Sequence, residues 1–221
     1  MARIVLSNGM IVRAVVGLGF CLGCAAGPTA NTPATPQQPE NAKANPVPTW
    51  LVDNSCPADV MPTTMVKGDY TQCMHGEASC IATCKAGGAV ACYGAALNQQ
   101  AQQHRELSDA LFLRACKLGE ASGCTNRAAS LLSTGPNPTP ATLRCASATF
   151  ERSCAAHDPW GCTMFATMLM RGMGVVQDLN RARTVLDDSC LNGESDPACE
   201  SAAALRLQID KALQEQAAPT L

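Results

Sequence analysis

The chain is predicted to be all-α, an α-α superhelix (right-handed solenoid) of about four disulfide-stapled helical hairpins. Three observations predict it. A cysteine pair with C-x7-C spacing recurs as Cys84 and Cys92, Cys116 and Cys124, and Cys154 and Cys162, and a fourth pair, Cys190 and Cys199, has one extra residue between its members. The leading cysteines stand 32, 38 and 36 residues apart, about the length of two short helices and their connections. The register also extends beyond sulfur: four residues before the leading cysteines stand Cys80, Phe112, Phe150 and Leu186, and four after the trailing ones stand Ala96, Ala128, Ala166 and Ala203.

An offset of four is one helical turn on one face, so each unit reads as a helix ending near its leading cysteine and a second beginning near its trailing one. Bulky side chains on the first helix meet alanine on the second, which allows a close approach. Eight residues after the trailing cysteines stand Gln100, Leu132, Met170 and Leu207, so the inner stripe continues in three units and is lost in the first. Gly87, Gly119 and Gly193 follow their leading cysteines by three residues, where a helix commonly stops in a left-handed cap. His157 takes that place in the third unit, and Asp158 beside it suits the start of the next helix. Cysteines at the facing ends of such a pair come within the roughly 5.5 Å between Cα atoms that a bridge needs. Closing a loop of about nine residues stabilises by roughly 2.6 kcal/mol in the chain-entropy model. Aromatic residues make up only 4% of the chain, so each hairpin buries little apolar area and the bridges weigh more.

Residues 1–23 read as a lipoprotein signal peptide. Arg3 and Arg13 flank an apolar run from Ala14 to Gly23, about half the length a membrane-spanning helix requires. The run ends in Cys21-Leu22-Gly23-Cys24, which resembles the bacterial lipobox and implies that Cys24 carries the lipid as first residue of the mature chain. Cys21 competes as a lipid site, although Phe20 before it is bulky. The other reading is a cleaved signal that releases a soluble protein. Residues 24–50 form a Pro/Ala-rich disordered linker that cannot bury a core; held extended at about 3.1 Å per residue it reaches at most about 80 Å. A cysteine-linked N-terminal cap over 51–75, the repeat domain over 76–216 and a tail over 217–221 complete the chain.

Of 14 cysteines, the 12 left after Cys21 and Cys24 form an even set that suits an oxidising compartment. The expected location is the cell envelope, lipid-anchored, with the outer membrane favoured over the inner because Ala25 rather than aspartate follows Cys24, or outside the cell if the lipid is not attached. A net charge of −2 without any run of lysine or arginine excludes the basic stripe of a nucleic-acid partner. Cys56, Cys73, Cys80 and Cys145 are left over by the repeat, and four cysteines allow three connectivities. A bridge from Cys56 or Cys73 to Cys80 is favoured, since the stretch from Cys73 to Cys80 echoes that from Cys116 to Cys124; the pairing of Cys145 is open.

The segment Gly172-Met173-Gly174-Val175-Val176-Gln177-Asp178, followed by Ala182 and Cys190, resembles the Sel-one-like repeat, a tetratricopeptide-related hairpin. The cysteine pairs resemble its secreted, cysteine-rich branch. The resemblance covers about residues 76–215 and is strongest in the last two units. The second unit departs from it at Gly135-Pro136-Asn137-Pro138-Thr139-Pro140, and the first almost lacks an inter-repeat loop, so irregular stacking is expected there. The resemblance implies a scaffold for protein or peptide partners and, as the enzymatic alternative, β-lactam hydrolysis or penicillin binding.

The residues do not favour the enzyme. No serine has lysine three places on, His75, His104 and His157 are dispersed, and no G-x-S-x-G elbow is present. For a metal, zinc sites use close cysteine pairs, and the nearest approach is His75 with Cys80 and Cys84. Gly172-Met173-Gly174 follows a helix and reads as a connection rather than a nucleotide loop. Met164, Phe165, Met168, Leu169 and Met170 read as core rather than an adaptable binding surface. The expectation is therefore a non-catalytic scaffold with no catalytic residue, cofactor or metal, tethered to the membrane by its lipid and engaging a protein or peptide. A structural envelope spacer is the remaining alternative.

Overall fold

A computed structural model describes residues 46–217. The predicted signal segment, Cys21, Cys24, most of the linker and residues 218–221 lie outside the described residues.

The described residues contain helices and no strand. A single turn, α1 (Pro57–Val60), and a second, α2 (Thr71–Met74), precede three hairpins. These are α3 (Ser79–Lys85) with α4 (Ala89–Ala101), α5 (Arg105–Lys117) with α6 (Ala121–Leu132), and α7 (Pro140–Ala155) with α8 (Pro159–Arg171). The fourth unit is α9 (Leu179–Val185), continued by a 3-10 stretch over Leu186–Cys190, and α10 (Pro197–Ala217). From α3 to α9 each helix packs on the next, and α8 also packs on α10. Each hairpin thus packs on the next along the chain, the organisation of a helical solenoid.

The repeat register explains the core. Cys80, Phe112, Phe150 and Leu186 are all buried, and opposite them Ala96, Ala128 and Ala166 are fully buried. Fully burying one phenylalanine or leucine stabilises by about 1.5–3 kcal/mol. Tyr93 and Phe112 extend the contact between the first two units at 5.9 Å between ring centroids.

The fourth unit departs from the predicted stripe. Ala203 is exposed and Leu207 is 73% exposed, while Ala198, Ala202, Leu205 and Ile209 face the core instead. The extra residue between Cys190 and Cys199 shifts the second helix by one position, which turns it by roughly 100°. Its first helix also gives out early. Asp187 and Asp188 bring negative charge to a helix C-terminus, where it is unfavourable, and the chain tightens into 3-10 geometry over Leu186–Cys190.

All four repeat pairs are bonded: Cys84–Cys92, Cys116–Cys124, Cys154–Cys162 and Cys190–Cys199, with Cα atoms 4.4–4.6 Å apart. Such proximity requires a small residue at the crossing. The residue just before each trailing cysteine is Ala91, Gly123, Gly161 or Ala198. A Cβ on Gly161 would stand 2.7 Å from the Ser153 Cβ, and one on Gly123 would stand 2.8 Å from the Ala115 Cβ. The turn residues behave as the spacing predicts: Gly87, Gly119 and Gly193 have φ of 105°, 97° and 97°, and His157 has φ 59°.

The predicted cap is two separate devices. Residues 70–74 do cap the first hairpin: α2 packs on α4, Cys73 is bonded to Cys80, and Tyr70 meets Tyr93 edge to face at 4.9 Å. Residues 49–66 do something else. They run across the second and third units as a strap, with α1 packed on α5, α6 and α7 and Cys56 bonded to Cys145.

Candidate functional site

The strap marks the face of the molecule where the leading helices α5 and α7 hold a segment distant in sequence. Pro57 at the first position presets the turn of α1, and the turn closes with Met61 N donating to the Pro57 carbonyl at 3.0 Å. The groups left over at its ends are taken up by α7. Ala58 N donates to Thr149 Oγ1 at 3.1 Å. Arg152 donates from one guanidinium nitrogen to the Ala58 carbonyl and from the other to the Met61 carbonyl at 2.7 Å. One fork thereby reads two main-chain carbonyls, a geometry that lysine cannot reproduce.

The side chains of the strap add packing to this polar grip. Leu51, Pro57, Ala58 and Met61 are buried. Met61 lies against Cys116, Cys124 and Ala121, with Met65 and Ala156 at the edge, a contact that suits a flexible thioether. Asp53 pairs with Lys117 of α5 at 2.6 Å, and this pairing holds the Asp53 carboxyl well below the usual range. At the far end Val66 N donates to the Gly119 carbonyl at 2.9 Å. Gly119 is needed twice there, since its φ is positive and a Cβ would stand 2.8 Å from the Thr64 carbonyl oxygen.

A row of acids at the hairpin turns lies beside this face. Glu120 and Asp158 cap α6 and α8, accepting from Ser122 N at 3.2 Å and Gly161 N at 3.2 Å. Both are buried. Asp158 also accepts from Ser122 Oγ at 3.1 Å and from the Thr125 hydroxyl, yet burial still pushes its carboxyl above the usual range. Burial, with the charge of Asp158 nearby, pushes Glu120 up to about 7. Burial also raises the phenols of Tyr93 and Tyr70. Through Ser122 and Thr125, Asp158 joins the second and third units from within.

The residues weighed for chemistry fall in separate places. His75 ends α2, His104 precedes α5 with Nδ1 2.8 Å from Gln99 Oε1, and His157 occupies the turn before α8. Cys80 and Cys84, considered as soft-metal ligands with His75, are each in a disulfide, to Cys73 and Cys92. Among the described residues, Cys154, Cys162 and Asp188 bring ligand atoms within 4.8 Å of one another, but both sulfurs are in one bridge and offer no thiolate. Phe165, Met168 and Leu169 belong to the core, with Met164 and Met170 packed at its edge.

Of the four leftover cysteines, Cys73 joins Cys80 and Cys56 joins Cys145. The roles of Thr149 and Arg152 were not readable from the sequence, because their partners lie 91 to 94 residues away. The small residue before each trailing cysteine, Ala91, Gly123, Gly161 or Ala198, is the local sequence signal of the close crossing.

Compared with known proteins, the chain matches no family model, no curated protein and no solved structure. The six disulfides among the described residues suggest an oxidising, extracytoplasmic compartment. Among the described residues no helix is long and apolar enough to cross a membrane.

Proposed function

We propose that this protein is a non-catalytic scaffold for a protein or peptide partner, built from Sel-one-like repeats of the cysteine-rich branch and tethered at the cell envelope. The observation that carries the reading is the strap. The leading-helix face holds a short segment through its main-chain groups, using Arg152 and Thr149 together with an apolar socket for Met61. Peptide recognition on helical repeats needs those elements: polar groups that read backbone and a pocket that reads one side chain. Lipid attachment at Cys24, the linker over 24–50 and an outer-membrane location complete the proposal, and they rest on the sequence of residues 1–50.

The test is site-specific photo-crosslinking in living cells from exposed positions on α9 and α10, followed by recovery of the chain from membranes. A discrete adduct with one protein, lost when the crosslinker is moved to the linker, is expected. Turnover of a chromogenic β-lactam by the purified chain, in proportion to its concentration, would overturn the reading in favour of a hydrolase. A second reading, a structural spacer, is favoured by the strap itself, since it covers the face across two units; that reading predicts no adduct from any position. Lipidation is tested separately by the mass of the mature N-terminus, where diacylglycerol on Cys24 is expected and an unmodified N-terminus overturns it.

A further inference from the structure

We propose that the α5–α7 face is a binding site for a one-turn peptide of the form Pro-x-x-x-Met, closed in the resting chain by its own Pro57–Met61 turn and opened when a dithiol reduces Cys56–Cys145. The proposal rests on the scaffold reading above and supplies its ligand class and its control. Three observations carry it. The first is what the face recognises. Pro57 starts the turn and is buried, Met61 fills the socket against Cys116 and Cys124, and Arg152 and Thr149 read the backbone between them. The contacts that Ala58 and Met61 make with Thr149 and Arg152 are to main-chain groups, so another segment with the same two anchors meets the same groups.

The second is the position of the bridge. Five disulfides link cysteines 7 to 9 residues apart within one hairpin or its cap, whereas Cys56 and Cys145 are 89 residues apart. Cutting this bond removes the strap's covalent tie to α7 and leaves every hairpin stapled. The third is access. Each of the other bridges contains at least one buried cysteine, and Cys56–Cys145 is the bridge with both members half-buried. Lys67, Gly68 and Asp69, which join the strap to the cap, are exposed, so the strap can swing on that stretch without dragging the cap.

The redox step is thiol–disulfide exchange. A thiolate of a dithiol protein attacks one sulfur of the bridge and forms a mixed disulfide while the other sulfur leaves and takes a proton. The second thiol then resolves the mixed disulfide. The dithiol ends oxidised, and Cys56 and Cys145 end as two thiols, a transfer of two electrons and two protons.

The experiment uses the purified full chain carrying a protease site between Lys67 and Gly68, cut after oxidative folding so that the strap stays attached only through its bridge. Graded dithiothreitol followed by alkylation and peptide mass spectrometry should label Cys56 and Cys145 at a concentration about tenfold below that for any hairpin bridge. A fluorescent peptide of residues 53–66 with the Cys56→Ser change should then bind the mildly reduced chain at least about tenfold more tightly than the oxidised chain. Its Met61→Ala version should lose at least about fivefold. Cys56→Ser/Cys145→Ser in the cut chain should bind without reductant. Labelling of a hairpin bridge first, or absence of peptide binding once the strap has dissociated, overturns the proposal. If the peptide fails while crosslinking still recovers a partner from α9 or α10, this inference falls and the scaffold reading stands; if both fail, both fall.

Discussion

The hydroxyl of Thr125, on the second helix of one unit, donates to the carboxylate of Asp158, which caps the second helix of the next. Both residues are buried, and Ser122 Oγ and Gly161 N converge on the same carboxylate. A hairpin solenoid is stabilised through its interfaces as much as through its units, and here one acid serves as both a cap and a joint. Replacing Asp158 by alanine leaves two hydroxyls and one amide without their acceptor, so Asp158→Ala should cost about 2–4 kcal/mol. Thr125→Val should cost about 1–2 kcal/mol. Urea unfolding checks both, and the double variant should lose less than the sum because the two changes remove a shared bond.

Glu120 gives the molecule a pH dependence opposite to that of a paired surface carboxylate. Burial raises its folded-state value from 4.5 to about 7, so between those values the folded chain binds more protons than the unfolded one. Stability therefore falls as pH rises through this window and is regained toward its acid end. The raised carboxyl of Asp158 acts in the same direction. Asp53 acts oppositely, but its carboxyl is lowered and its contribution is lost only below the ordinary aspartate range. Thermal melts should show the midpoint rising from pH 7 to pH 5, by on the order of 1–3 kcal/mol of stability. Glu120→Gln should flatten that slope, and a midpoint that falls over the same interval would contradict the assignment.

How far such relationships were legible depends on their range in the chain. Hairpin pairing, the left-handed turn at Gly119 and His157, and the Asp158 cap are local, each leaving a mark within about ten residues, and the repeat period is legible because that local pattern recurs every 32 to 38 residues. The Met61 socket and the Arg152 fork leave none, because either half reads alone as an ordinary surface segment. The slip of Ala203 out of the core was a matter of weighting. The extra residue between Cys190 and Cys199 was visible, but counting from the cysteine kept a register that helix rotation shifts by one place.

Gly161 should be among the least replaceable residues outside the cysteines. A Cβ there would stand 2.7 Å from the Ser153 Cβ and 2.9 Å from Cys154 N, at the crossing where Cys154 and Cys162 have Cα atoms 4.4 Å apart. Gly161→Val should cost about 1–3 kcal/mol by forcing α7 and α8 apart. Ser153 supplies an internal check, since its Oγ is buried without a hydrogen-bond partner and its Cβ is the nearest obstructing atom. Ser153→Gly should therefore restore part of the stability of Gly161→Ala, measured as the shift in urea midpoint.

The two kinds of bridge should differ in what their loss costs. A hairpin bridge closes about nine residues and contributes roughly 2.6 kcal/mol in the chain-entropy model, whereas one closing about 90 residues contributes roughly 4.6 kcal/mol. By that count Cys56→Ser/Cys145→Ser is the more destabilising pair, although it severs no hairpin. Local and global readouts should therefore separate. For Cys154→Ser/Cys162→Ser, loss of the staple should loosen α7 against α8, with faster amide exchange across the turn at Ala156 to Asp158. For Cys56→Ser/Cys145→Ser, the hairpin amides should keep their relative order of protection while Ala58 N, which the strap holds on Thr149, exchanges early. The two double variants, compared by urea unfolding and amide exchange at one pH, decide the matter: equal costs and identical exchange patterns would mean that the strap is held by its contacts alone and that Cys56–Cys145 adds little to them.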